Sequence, residues 1–343
     1  MKAIVIHAAK DLRIEDREVE ALGPGQVEIA IEAGGICGSD LHYYNHGGFG
    51  TVKIREPMIL GHEVAGTIRA LGKGVSGFAV GDRVAVSPSR PCNSCRYCLG
   101  GRQNQCLNMR FYGSAMAMPH IQGAFRQRLV AQSRQCYRIA DGISANEAAF
   151  AEPLAVTLHA VDRAGSLLGK RVLVTGCGPI GALTIIAARL HGAREIVATD
   201  VLDGVLAKAR EVGADRSINV VSDGHKLSAY GTDKGYFDVM FEASGNEQAV
   251  RAGLEVLQPR GVLVQLGLGG DMAIPQNTIV AKEIEMRGTF RFHEEFALAV
   301  DLINQRRVDP RPLLTGIFPL EDTVQAFRTA GDRSRSMKVQ IAF

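Results

Sequence analysis

Three sets of residues carry types and spacings that chemistry can use. The tightest is Cys92-x-x-Cys95-x-x-Cys98 followed by Cys106. Thiolates this close can surround one Zn²⁺ tetrahedrally at about 2.3 Å each, a closed site with no position left for substrate. Reduced thiols without metal would require four of the 7 cysteines to cluster by chance. A free-standing zinc module for nucleic acid would need a basic recognition helix, which this stretch lacks. The set reads as structural zinc.

The second set is Val172-Leu173-Val174-Thr175-Gly176-Cys177-Gly178-Pro179-Ile180-Gly181. A lone G-x-G-x-x-G is weak, and chance glycines in a chain with 39 of them are the bland alternative. Here the motif follows a strand-like run and opens a helix-like one. Gly176 and Gly178 then permit a tight turn and close approach of a pyrophosphate, Gly181 lets helix and strand pack closely, and the helix N-terminus stabilises the phosphate charge. Asp200 ends the next strand, where an acidic residue hydrogen-bonds the adenosine ribose and repels a 2′-phosphate. NAD is expected, with NADP disfavoured.

The third set is dispersed: Gly35-Ile36-Cys37-Gly38-Ser39-Asp40-Leu41-His42, then Gly61-His62-Glu63, then Ala151-Glu152-Pro153-Leu154. Singly, such residues serve packing, a satisfied polar group or a solvated loop. Together, beside a dinucleotide motif, Cys, His and Glu form the mixed ligand set of an open catalytic zinc.

The elements that must position these groups fall into two blocks. Strand-like segments at Arg171–Thr175, Glu195–Thr199, Arg216–Val220, Phe237–Glu242, Gly261–Leu266 and Glu283–Thr289 alternate with helical stretches at Ile180–His191, Leu202–Val212 and Glu247–Leu257, the pattern of a doubly wound parallel α/β sheet. Residues 1 to 150 lack that alternation and read as mostly β, as in Val27–Ile31 and Asp82–Val86. After residue 290 too little chain remains for an independent domain, so the strand-like Met337–Phe343 is expected to pack back on the first block. Domains at 1–150, completed by about 291–343, and at 151–290 follow.

With 343 residues, 46% apolar and 22% charged, the chain reads as a globular enzyme and not as a disordered or fibrous one. The apolar run Val172–Ala188 is broken by Gly176, Gly178, Pro179 and Gly181, so no membrane span is expected. The net charge of +3 is interspersed, without the basic block that nucleic acid or an anionic membrane would ask for. A small-molecule substrate is the expected partner. The short apolar run at the N-terminus reads as a strand and not a signal peptide, and an odd number of cysteines suits metal ligation in a reducing, cytoplasmic compartment.

In this order along the whole chain, the motifs Cys37-Gly-Ser-Asp-Leu-His42, Gly61-His-Glu63, the four-cysteine lobe, Ala151-Glu-Pro-Leu-Ala-Val156 and the glycine fingerprint resemble the zinc-dependent medium-chain dehydrogenases. The resemblance implies a GroES-like β domain, a Rossmann domain and an active site in the cleft between them. It also implies two zinc ions per chain and a homo-oligomer, dimer or tetramer. Cys37, His62 and Glu152 are its implied catalytic zinc ligands, with Glu63 a ligand in some states of the family and a neighbour of the ligands in others. Ser39 and His42 resemble the family's proton relay, the alternatives being an N-cap and a solvent-facing helix residue. Ser244 and Gly267 join Gly176, Gly178, Pro179, Ile180, Gly181 and Asp200 as cofactor residues.

Glu152 stands where liver-type alcohol dehydrogenases carry a second Cys, which is similar to the sorbitol, threonine and sugar-acid branches. The segment Asn108–Met116 with Pro119-His120 is similar to members that oxidise L-idonate. That implies hydride transfer from a secondary hydroxyl of a sugar acid to NAD, L-idonate giving 5-keto-D-gluconate. In Thr289-Phe290-Arg291-Phe292, Phe292 replaces a Tyr of the polyol enzymes. Arg110 and Arg291 could pair bidentately with a sugar-acid carboxylate, the alternative being surface residues, and Tyr43 lines the pocket or belongs to the core. The rivals are a polyol such as sorbitol or xylitol, threonine, or, in another class, a non-catalytic nucleotide-binding protein with one zinc.

Overall fold

The computed structural model describes all 343 residues, which divide into two units, Met1–Glu152 with His293–Phe343, and Pro153–Phe292.

In the first unit the strand Gln26–Gly35 is central. Its apolar residues Val27, Ile29, Ile31 and Ala33 alternate along the chain and are all buried, as a strand with one core-facing side requires. One edge pairs antiparallel with Glu63–Leu71. The other pairs with Arg128–Gln132 along its first half and with Lys338–Ala342 at its end. The sheet continues through Arg83–Val86 to Cys136–Arg138 on one side and to Leu314–Pro319 on the other. The C-terminal strand therefore sits at the end of Gln26–Gly35, just before Cys37. Ile29, Ile31, Val64, Phe125, Leu129, Phe327 and Ile341 share the core beneath, each fully buried side chain worth about 1.5–3 kcal/mol relative to exposure.

The second unit is a six-stranded parallel sheet in the order Arg216–Asn219, Glu195–Asp200, Arg171–Thr175, Phe237–Glu242, Leu257–Gln265, Glu285–Gly288. The order runs outward in both directions from Arg171–Thr175, so it reverses between that strand and Phe237–Glu242, the place where such sheets open a ligand crevice at their carboxyl ends. Leu173, Val197, Phe237, Met240, Leu254 and Leu263 fill its core. Helix Glu247–Val256 packs so closely that a Cβ on Gly253 would lie 2.2 Å from Met240 Sδ. The fifth strand begins at Leu257, ahead of the expected Gly261, with a register shift where it passes Phe237 and Val239. No helix is long and apolar enough to cross a membrane.

Candidate active site

Cys37 is the N-cap of the helix Gly38–His46, directly beyond the central strand. Its N–H donates to Asp40 Oδ2 at 3.0 Å, while Asp40 Oδ1 accepts from Gly61 N–H at 3.2 Å. Asp40, fully buried, thus staples the Cys37 turn to the turn carrying His62. Gly61 has φ +90°, and a Cβ there would stand 2.0 Å from Phe125, so only glycine lets this turn lie on the core. The result is that Cys37, His62 and Glu63 bring one ligand atom each within 4.8 Å of one another.

His62 Nδ1 faces Asp40 Oδ1 at 3.9 Å and has no hydrogen-bond partner. Glu63 is claimed by Lys338, itself buried. Nζ donates to Glu63 Oε1 at 2.6 Å and to Ile36 O at 3.1 Å, and Oε2 lies as near, at 2.5 Å, but without hydrogen-bond direction. The absence of a Cβ at Gly35 makes room for this carboxylate, which a side chain there would meet at 2.1 Å. Burial alone would lower the Lys338 pKa, yet the charges of Glu63 and Cys37 hold it above its ordinary value.

Glu152, the second residue of the helix Ala151–Ala164, is 5% exposed and lies beside the group of three without joining its 4.8 Å set. Burial, with the charges of Glu63 and Cys37, pushes its carboxyl up to about 8 against the pull of His62. Cys37 is only partly covered by area, but burial and Glu63 push its thiol up to about 11. A buried thiol and a buried carboxyl, both held away from their charged forms, are what a divalent cation would satisfy, since its charge reverses each of these shifts. The donors fit a zinc ion.

Ser39 follows Cys37 and hydrogen-bonds its sulfur. His42 is exposed by area but close enough to Phe49 that lost hydration, with the charge of His46, lowers its pKa. Tyr43 is core-packed at 2% exposure, its hydroxyl accepting from Ala115 N–H at 3.0 Å. Arg110 is not brought to this site. On the two-residue strand Arg110–Phe111, Phe111 turns inward, its ring tilted against that of His62 with centroids 5.6 Å apart, so the pleat sends Arg110 the other way. There it lines a cavity of about 540 Å³ with Arg90, Cys92, Asn108 and Arg134. Sequence reading did not single out Asp40 or Lys338. Asp40 was visible inside the Cys37–His42 motif, and Lys338 as a charge within an apolar strand.

The sulfurs of Cys92, Cys95, Cys98 and Cys106 form a second compact group, Cys95 to Cys98 and Cys92 to Cys106 both at 3.5 Å. Backbone N–H groups of Cys92 and Asn108 point at Cys106 Sγ, at 3.2 and 3.3 Å. Donors from Ser94 bring the Cys92 thiol down to about 5, whereas burial pushes Cys98 up to about 12. Backbone donors aimed at sulfur are the outer shell of a thiolate metal site.

In the second unit Gly176 has φ +79° and touches the Ser244 backbone, which a Cβ would meet at 2.6 Å. A Cβ on Gly181 would stand 1.9 Å from Gly176 O, whereas one on Gly178 would meet nothing within 4 Å. The open position is at the N-terminus of helix Pro179–Leu190, with Pro179 and Ile180 half-buried beside it, and a phosphate fits such a cradle. Asp200 is buried. Its Oδ2 accepts from Cys177 N–H at 2.8 Å and its Oδ1 from Val201 and Leu202 N–H at 2.7 and 3.2 Å. It anchors the glycine turn, a role beyond the expected ribose contact. Gly267 lies against Gly245, a Cβ there meeting its nitrogen at 2.1 Å. Arg291 follows Glu285–Gly288 in the left-handed conformation, φ +57°, its guanidinium over the Phe290 ring.

Comparison with known proteins finds the alcohol dehydrogenase GroES-like domain over residues 23–141 and the zinc-binding dehydrogenase domain over 179–305. L-idonate 5-dehydrogenase (NAD(P)(+)) of Escherichia coli is 42% identical over 100% of this chain and 98% of its own. Sorbitol dehydrogenase of Gallus gallus is 35% identical over 99% and 95%. The crystal structure of the E. coli L-idonate 5-dehydrogenase superposes with a TM-score of 0.96, again over 100% and 98%. That of 2R,3R-butanediol dehydrogenase from Bacillus subtilis gives 0.88 at 29% identity, over 100% and 99%.

Proposed function

The chain belongs to the zinc-dependent medium-chain dehydrogenases, with a GroES-like and a Rossmann domain, and from this we propose that it oxidises the secondary hydroxyl of a sugar acid, L-idonate to 5-keto-D-gluconate, with NAD. The observation that carries the substrate is the full-length 42% identity to an L-idonate 5-dehydrogenase. Domains at 1–150, completed by 291–343, and at 151–290 are the division of labour.

Cys37, His62 and Glu152 would hold the catalytic zinc, and Cys92, Cys95, Cys98 and Cys106 a structural one. When bound, the catalytic zinc supplies a Lewis acid for the substrate hydroxyl and the nicotinamide accepts hydride. Glu63 is kept from the ligand set by Lys338, whose charge it neutralises. Asp40 faces Nδ1 of His62, which would leave Nε2 for the metal, the usual orienting place of a carboxylate behind a ligating imidazole. Ser39, hydrogen-bonded to Cys37, and His42, one helical turn on with its pKa lowered, carry the hydroxyl proton toward solvent. Asp200 favours NAD over NADP, although the E. coli relative is named for both. Arg291, held in a rare backbone conformation, would meet the substrate carboxylate. Tyr43 acts from the core by fixing the Ala115 backbone.

We read the protein as cytoplasmic, which the clustering of reduced thiols supports, and as a homo-oligomer, dimer or tetramer, which the open edge strand Glu285–Gly288 with its exposed Met286 supports. Initial rates with L-idonate, sorbitol and threonine, each with NAD, test the substrate. The highest kcat/KM is expected with L-idonate. Faster turnover of sorbitol, which the 35% identity to sorbitol dehydrogenase would favour, replaces the sugar acid by a polyol.

A further inference from the structure

Glu242 ends its strand as the register partner of Thr175. The sheet order reverses between these two strands, so Glu242 lies beneath the crevice in which a doubly wound sheet takes its ligand. It is fully buried. Oε1 accepts from Ser244 N–H at 2.8 Å, and Oε2 accepts from Gly245 N–H at 2.9 Å and from Gln265 Nε2 at 2.6 Å. The Ser244 hydroxyl and Thr175 Oγ1, the latter at 3.4 Å, complete the shell. Backbone and carboxamide N–H groups can only donate, so both oxygens accept, as those of a carboxylate do. Every one of these partners is neutral.

Gln265 also donates to Gly267 O at 2.9 Å, and a Cβ on Gly267 would stand 2.8 Å from Glu242 Oε2. Glu242 therefore fixes both loop starts that leave the carboxyl end of the sheet, Ser244–Gly245 and Gly267. Asp200 marks the adenosine end of a bound dinucleotide, and the N-terminus of Pro179–Leu190 its pyrophosphate. The other nucleoside then falls over the ends of Phe237–Glu242 and Leu257–Gln265, above this carboxylate. An oxidised nicotinamide ring is positively charged and a reduced one is neutral. A buried negative charge with only neutral partners is poorly screened and favours the charged ring.

Resting on the dinucleotide reading above, we propose that Glu242 is a positioning residue that sets both cofactor loops and whose charge biases the site toward the oxidised dinucleotide. The test is calorimetric binding of NAD⁺ and of NADH to the full-length wild type and to Glu242→Gln, Glu242→Asp and Gln265→Leu. Glu242→Gln is expected to weaken NAD⁺ at least about fivefold more than NADH. Glu242→Asp and Gln265→Leu loosen the loops but keep the charge, so both cofactors should weaken by one common factor. An unchanged NAD⁺/NADH ratio in Glu242→Gln, or an equal shift in Glu242→Asp, overturns the proposal. Should Glu242→Gln not fold, the other two variants keep the proposal falsifiable: a ratio that moves while the charge is retained, or affinities that do not fall, overturns it, and a fixed ratio with both affinities reduced supports the positioning of the loops. A wild type that binds neither cofactor sinks the dinucleotide reading itself, an outcome seen before any variant is made.

Discussion

Lys338 and Glu63 form an ion pair, Nζ to Oε1 2.6 Å, between the C-terminal strand and the strand that follows His62, with both side chains almost wholly buried. Removing one partner of such a pair strands the other as an uncompensated buried charge, at a cost of about 3–5 kcal/mol. Lys338→Met should therefore lower the melting temperature markedly. It should also free Glu63 to compete with Glu152 for the metal. Thermal unfolding with zinc analysis checks this, and an unchanged Tm would show that the pair does not hold Glu63 in place.

The two cysteine sites should separate experimentally. The wild type is expected to hold two zinc ions per chain, and Cys37→Ala or His62→Ala one, with turnover abolished and NADH binding kept, because the glycine turn belongs to the other unit. Cys95→Ser should also hold one zinc but lower thermal stability, since a closed thiolate site couples metal binding to folding. A Cys95→Ser protein with wild-type Tm and no activity would reverse the assignment of the two sites.

What was legible in the sequence was local. The cysteine lobe and the glycine turn declare themselves because their ligands or contacts lie within a few residues, and the strand and helix alternation fixed the second unit to within a few positions. The Lys338–Glu63 pair joins residues 275 positions apart, so neither end could point to the other. The place of Arg110 depends on the pleat of a two-residue strand whose other member, Phe111, packs against His62, which spacing along the chain does not show. Glu242 looked like an ordinary strand end. Its meaning comes from which strand lies beside it, and that is a property of the sheet order.

Acid should weaken the first unit through Glu147. Burial works to raise its pKa, but the Ser144 N–H at 2.8 Å, the Ser144 hydroxyl at 2.7 Å and the Arg306 guanidinium outweigh burial and hold the carboxyl below its ordinary value. A carboxylate with a depressed folded pKa stabilises the fold above its unfolded pKa, and that stabilisation is lost as pH falls through the folded one. Glu147→Gln keeps an acceptor for the Ser144 N–H but loses the charge facing Arg306, and should cost about 1–2 kcal/mol at neutral pH, the scale of a hydrogen bond between charged groups discounted for the half-exposed Arg306. The difference from wild type should shrink on acidification, and denaturant unfolding at pH 7 and pH 4 measures it. A difference that stays constant with pH would assign the effect to packing.

Asp200 carries the last prediction, and the structure gives it two duties that one substitution can pull apart. Its carboxylate accepts three backbone N–H groups, from Cys177 at 2.8 Å and from Val201 and Leu202 at 2.7 and 3.2 Å. It is therefore part of the scaffold of the glycine turn before any cofactor arrives. A ribose hydroxyl would be a further donor to the same carboxylate, whose charge repels a 2′-phosphate. Along the chain no Arg follows Asp200 until Arg210, whose guanidinium hydrogen-bonds Ser217. Asp200→Ser should raise KM for NAD and narrow the gap to NADP by about 1–3 kcal/mol, and should lower Tm because the Cys177 amide loses its acceptor. Asp200→Asn keeps one acceptor oxygen for the turn, so it should retain more of the Tm while losing the same discrimination. Measuring kcat/KM with both cofactors and Tm for the three proteins separates the duties. A wild type that already prefers NADP would mean that cofactor choice is made elsewhere and that Asp200 serves the turn alone.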